Sequence, residues 1–321
     1  MKRAIAWGMI SCALCAVVCW FYLQKTTDTK QVEPIEMEIQ FTQLPSEATD
    51  YDAQTIVRVQ REDSEEQMTL HDYLVGVLLA EVPASFEPEA LKAQAVAART
   101  YTLKQMEGGK HQGALCTKSS CCQAWTDEGD ATEKQAMGQA VAETDGCVIT
   151  YDGELIDAVF FSCSGGKTEA AAEVWGGEVP YLQSVDSPGE EDAAPFSDSL
   201  TVSAADFIAT IHELNPDCDL SGSPATWFGT TTQTAGDGVA TIQIGAETFT
   251  GKELRTAFSL RSTMFRITVD GDQITFHTLG YGHRVGMSQY GANARAKDGT
   301  TYQEIIAYYY QGTEIETREP S

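Results

Sequence analysis

The chain has 321 residues, 42% of them hydrophobic and 9% aromatic, with only 10 prolines, which describes a folded globule with a real core rather than a disordered scaffold. Its 47 acidic against 21 basic side chains give a formal net charge of −26. Such a surface repels phosphate backbones and excludes a nucleic-acid binder; a polyanionic polymer could be held only by local hydrogen bonds and stacking.

After Lys2 and Arg3, residues 4–23 carry no charge and close with Trp20, Phe21 and Tyr22. About 20 apolar residues in a helix cross a hydrocarbon core of roughly 30 Å. The basic flank and the aromatic belt predict a single-pass anchor over residues 1–24, with the amino terminus cytoplasmic and the remainder outside the cell. A cleaved signal peptide is the competing reading; the run is longer than a signal core and no small-residue cleavage site follows it. Lys25 and Lys30 weaken the charge asymmetry, and Cys12, Cys15 and Cys19 inside the run read as packing thiols. Residues 25–50 are polar and acidic and read as a linker, residues 51–315 as the main domain and residues 316–321 as a tail.

Alternating apolar residues predict a strand over 55–60, and an apolar run predicts a helix over 70–81 that stops before Pro83. A second helix is predicted from Pro88 to about residue 105, then a glycine- and cysteine-containing loop over 107–125 and a helix near 131–144. Strands are expected at 147–151 and 155–161, an exposed excursion at 187–200, and a helix over 201–214. Residues 239–249 and 265–278 read as strands, with turns at Asp237-Gly238 and Asp270-Gly271, and residues 288–297 and 301–310 as two terminal helices. The mixture predicts an α+β fold of helices and antiparallel strands, in two lobes around a groove, with no βαβ rhythm.

Glu81 stands at the end of an otherwise apolar helix. A helix C-terminus and apolar neighbours both disfavour a carboxylate and raise its pKa, as a general acid at neutral pH requires. A solvent-facing glutamate at a helix end fits the same residues. In the next helix, run 89–101, small alanines leave Lys92, Gln94 and Arg99 as the available polar contacts, although good helix propensity alone explains the alanines. Ser162 and Ser164, beside Gly165 and Gly166, offer hydroxyls where backbone can approach a ligand; a tight turn is the plainer reading. Tyr281, His283, Ser288, Gln289 and Tyr290 gather polar and aromatic groups among glycines, suited to stacking on and bonding a sugar ring, while His283 also fits a structural histidine. His111, Cys116, Cys121 and Cys122 lie within one short loop and suit a tetrahedral zinc ion; a Cys116–Cys122 disulfide is the direct competitor outside the cell.

Taken in order, Tyr73–Glu81-Val-Pro-Ala-Ser-Phe with Glu89–Tyr101, then Phe161–Glu169 with Glu173-Val-Trp-Gly176 and Val179–Val185, then Gly280–Ala292, resemble the stage II sporulation protein D (SpoIID) family over about residues 50–315. The resemblance implies a lytic transglycosylase acting on peptidoglycan glycan strands already stripped of their stem peptides, at the engulfment septum between mother cell and forespore. It places the catalytic glutamate on Glu81 and implies a partner cell-wall amidase and a membrane protein of the engulfment machinery. It also implies zinc at the 111–122 loop in some members, as a structural ion not required for the chemistry. Where the family usually carries glycine, this chain has Arg284, which puts the path of that loop in question. A non-catalytic, wall-binding activator of an amidase and a metal-dependent hydrolase are the rival readings.

Overall fold

A computed structural model describes residues 50–320 apart from 62, 63, 110 and 120. The expected anchor (1–24) and linker (25–50, except residue 50) lie outside the described residues, and among those described no helix is long and apolar enough to cross a membrane.

In chain order the elements are α1 (Tyr51–Gln54), β1 (Ile56–Gln60), β2 (Glu65–Thr69), α2 (Leu70–Glu81), α3 (Pro88–Gly108), β3 (Leu115–Cys116), α4 (Ala131–Ala142), β4 (Cys147–Tyr151), β5 (Glu154–Leu155), β6 (Phe160–Phe161) and α5 (Ala171–Trp175). There follow β7 (Ser197–Ser203), α6 (Ala204–Leu214), a 3-10 turn (Pro224–Thr226), β8 (Phe228–Gln233), β9 (Val239–Ile244), β10 (Glu247–Thr250), α7 (Gly251–Ala257), β11 (Phe265–Asp270) and β12 (Gln273–Leu279). The chain ends with β13 (Met287–Ser288), α8 (Gln289–Lys297), α9 (Tyr302–Tyr309) and β14 (Glu314–Thr317). The α+β class is as expected. Most pairings are antiparallel, but β1 with β3 and β6 with β13 run parallel.

The local chemistry accounts for the boundaries. The Thr69 hydroxyl accepts from the Asp72 N–H and starts α2, and Val82 in extended geometry ends it ahead of Pro83. Pro88 opens α3, where its missing N–H is no loss. Thr301 and Glu304 form a capping box at α9.

Three expectations need correction. Residues 201–203 belong to β7, and α6 starts only at Ala204, because the Ser203 hydroxyl caps it by accepting from Asp206 N–H. The apolar stretch 155–161 is not one strand: β5 pairs with β4, whereas β6 changes partner to β13. The acidic segment 187–200 is not wholly exposed, since Ser187 and Glu190 are buried and its end forms β7.

Two hydrophobic cores result. The first surrounds α3, whose Ala93, Ala95, Val96, Ala97 and Ala98 are all fully buried, so small side chains let α2, α4, α8, α9 and β4 pack close to it. The buried residues of the second fall within 207–276, around stacked Phe207, Phe258 and Phe276, with Leu200, Val202 and Ala204 packed against them. The strand leading into the second core and the segment leaving it meet where the Gly280 N–H donates to the Phe196 carbonyl at 2.7 Å.

Candidate active site

Glu81 ends α2 with its carboxylate half-buried between two segments distant in sequence. One oxygen accepts from the backbone N–H of Ala124 at 2.8 Å, and the other from the Gln289 amide at 3.3 Å. Burial pushes its pKa up, while these two donors pull it down. Neither donor is charged, and neither partner is a second carboxylate. The arrangement is that of a carboxyl group whose acid form burial favours and whose carboxylate form would rest on two fixed donors.

The segment bearing Ala124 is laid across α2. Thr126 N–H donates to the Gly76 carbonyl at 3.1 Å, and a Cβ at Gly76 would overlap the Trp125 indole. The Arg61 guanidinium covers the other part of that indole, 4.3 Å from the ring centroid. The side chain of Gln123 is tied to α3 through Thr102 Oγ1 at 2.9 Å.

Immediately upstream, His111, Cys116, Cys121 and Cys122 converge, their ligand atoms all lying within 4.8 Å of one another. His111 Nε2 lies 3.2 Å from Cys121 Sγ, and all six described cysteines are free thiols. Three sulfurs and one imidazole at these separations fit a tetrahedral ion, whose sulfur ligands would sit at about 2.3 Å. A Cys116–Cys122 disulfide would leave the convergence of His111 and Cys121 unexplained.

The remaining predicted residues divide. Gln289 touches Glu81, and Tyr290 packs edge-on against Phe86, just past the Pro83 turn, at 5.0 Å. The Ser162 carbonyl accepts from Tyr290 N–H at 3.0 Å, which brings the second motif to the third. Tyr281 is exposed. Others are committed to the fold. Arg99 is fully buried and forks onto Asp52 at 2.5 and 2.8 Å, with further bonds to the Val141 and Cys147 carbonyls, so it is a core residue with no donor left for a ligand. Lys92 is held by Glu89 and Glu143 at 2.8 and 2.7 Å. Gln94 is buried within α3, and neither polar atom of its amide has a partner among the described residues. Ser164 Oγ and N–H both donate to Glu190, and Ser288 Oγ caps α8 by accepting from Gly291 N–H.

His283 is likewise satisfied: Nδ1 accepts from Val285 N–H at 3.1 Å, and the ring bonds the Phe160 backbone. Burial, helped by the nearby Arg255 charge, lowers its pKa to about 4 and keeps the imidazole neutral. Arg284 takes the left-handed backbone that glycine favours, at φ 66°. It is fully buried and donates to the carbonyls of Ser164, Lys167 and Gly236 and to Glu169.

Sequence reasoning missed Ala124, Trp125, Asp52 and Glu190. Ala124 acts through its backbone, which leaves no side-chain signature. Asp52 and Glu190 are ordinary acidic residues until the fold buries them.

A family model described as SpoIID, stage II sporulation protein, matches residues 59–151, a span that holds both Glu81 and the cysteine loop. Stage II sporulation protein D of Bacillus subtilis (strain 168) is 38% identical over 265 residues, covering 78% of this chain and 76% of that protein. The protein of the same name from Bacillus amyloliquefaciens is 35% identical, with 78% and 75% covered. The amidase enhancer of B. subtilis (strain 168) is 32% identical over 290 residues, which is 75% of this chain but 40% of that protein.

Proposed function

The chain belongs to the SpoIID family of stage II sporulation proteins, and from that premise we propose that it is a lytic transglycosylase of peptide-free peptidoglycan strands, anchored in the membrane with its domain outside the cell. The observation that carries this reading is Glu81, a half-buried carboxyl group with a raised pKa and two neutral donors on its oxygens.

Protonated Glu81 gives its proton to the glycosidic oxygen between MurNAc and GlcNAc, and the bond to C1 breaks. The carboxylate left behind is stabilised by the Ala124 N–H and the Gln289 amide. It then takes the proton from the sugar's own C6 hydroxyl as that oxygen closes on C1, giving a 1,6-anhydro end and restoring the acid. Hydrolysing glycosidases need a second carboxylate to activate water or form a covalent intermediate. An internal nucleophile removes that need, in keeping with the two uncharged donors that Glu81 meets among the described residues. Tyr290, which follows Gln289, and Ser162, bonded to it through the backbone, would supply sugar contacts.

His111, Cys116, Cys121 and Cys122 would hold zinc, which cross-links the loop when bound. Ala124 follows Cys122 by two positions, so ordering the loop orders the N–H on Glu81. Lewis-acid chemistry is not required.

Mass spectrometry of products from peptide-free strands tests the reading. Wild-type protein should release anhydro-muramyl ends, and Glu81→Gln should lower that rate by about 10²–10⁴-fold, the usual worth of a general acid. Reducing ends would indicate a hydrolase. The similarity to the amidase enhancer supports one alternative, a non-catalytic activator of a partner amidase. Unchanged amidase stimulation by Glu81→Gln, with no cleavage by wild type, would favour it.

A further inference from the structure

The Glu173-Val-Trp-Gly176 stretch has no part in the chemistry above, yet it carries one of the most exposed large side chains among the described residues: Trp175 is 50% exposed. The indole is not loose. Gly176, at φ 79°, ends α5 directly after it, and the ring lies tilted on His283 with centroids 5.4 Å apart. His283 rests in turn on Phe161 at 5.6 Å, and its nitrogens are held by Val285 N–H and the Phe160 backbone. One end of the stack is therefore buried and fixed, and the other presents an aromatic surface to solvent.

This stack is connected to the active site by backbone. Phe161 pairs with Ser288 across β6 and β13, and the next residue is Gln289, whose amide reaches Glu81. Two residues before His283 stands Tyr281, 49% exposed and bridged to Cys163, the second residue after Phe161. Aromatic surface thus extends from the same strand pair that carries the Glu81 donor.

We propose that Trp175 is a stacking platform for a pyranose unit of the glycan strand, outlying from the bond that Glu81 cleaves. The proposal rests on the reading of the chain as a glycan-binding protein, and it adds a subsite to it. A single half-exposed indole is matched in size by the C–H face of one sugar ring, and its π face suits those weakly positive hydrogens. Its exposed neighbours in sequence are Ala172, Glu173, Gly176, Gly177, Glu178 and Pro180, so no second large apolar side chain stands beside it in this stretch, as the docking patch of a protein partner would require. The acidic surface likewise opposes an anionic membrane. The imidazole behind the indole stays neutral down to about pH 4, so the platform gains no charge in the neutral range.

The test measures binding without turnover. Full-length chain carrying Glu81→Gln is titrated with peptide-free glycan strands, alone and with Trp175→Ala or Trp175→Phe added. Trp175→Ala should weaken binding about tenfold, the usual effect of losing an aromatic anchor, while Trp175→Phe stays within about threefold. All three proteins should melt within a few degrees of one another, since half of the side chain is already exposed. Parent-like binding by Trp175→Ala would overturn the proposal, and so would failure of the Glu81→Gln parent to bind strands at all. A tenfold loss together with no anhydro ends from the wild-type protein would uphold the platform and sink the transglycosylase.

Discussion

At Glu81, burial and hydrogen bonding act in opposite directions, and the net direction is upward. A raised carboxyl pKa keeps the acid form to higher pH, so kcat/KM should fall as pH rises through it. Gln289 is one of the two donors that favour the carboxylate, so Gln289→Ala removes a lowering influence. The alkaline limb of the pH–rate profile should then move to higher pH, along with a loss of rate. A limb that stays in place or moves to lower pH would show that Gln289 does not act on the Glu81 charge. Glu81 itself could be picked out in the sequence by its position after an apolar helix, but not by its donors, since one is a backbone amide 43 residues away. Arg99 is the opposite case. Its position on a small-residue helix resembles that of a contact residue, but Asp52 lies outside any motif and only the fold discloses the pair. Breaking a buried ion pair by removing one partner costs about 3–5 kcal/mol. Arg99→Leu should accordingly lower the urea midpoint severely, and a variant of parent stability would contradict the buried-pair account.

The cysteine loop is legible in sequence as a ligand set, because three thiols and an imidazole fall within one short stretch. Its consequence for catalysis is not, because that depends on residues 123–126 crossing α2. Cys122 is followed by Gln123, pinned to Thr102, then by Ala124 on Glu81 and Thr126 on Gly76. If the loop holds an ion as proposed, its removal should loosen the loop from its upstream end. A chelator should raise amide exchange over residues 111–126 while α3 keeps its protection, and elemental analysis of the untreated protein should find about one zinc per chain. Protection that is unchanged by chelation would separate the loop from the metal. The β6 strand was harder to read: its apolar residues look continuous with β5, and the change of partner to β13 depends on a segment more than 100 residues away, at 287–288.

The described residues form two cores, and Arg284 is among the polar contacts that join them. The second core occupies one continuous insertion, which the pattern of strands between 239 and 278 reveals, but its joint to the first does not show in any periodicity. Arg284 comes from the returning chain, accepts the strained left-handed backbone, and donates to Gly236 of the insertion as well as to Ser164 and Lys167. Glu169 pairs with it and accepts from Thr234 Oγ1 of the insertion at 2.7 Å. Glycine at position 284 would relieve strain worth about 1–3 kcal/mol. It would also leave the Glu169 carboxylate buried and unpaired, at a cost of about 3–5 kcal/mol. The second effect wins, so Arg284→Gly should destabilise the protein despite restoring the residue that the backbone prefers. Adding Glu169→Gln removes the orphaned charge and should recover part of the loss, whereas Glu169→Gln alone in the parent should be harmful. Calorimetry of the three variants decides the matter: a parent-like or raised melting temperature for Arg284→Gly would mean that the guanidinium does not hold the two cores together.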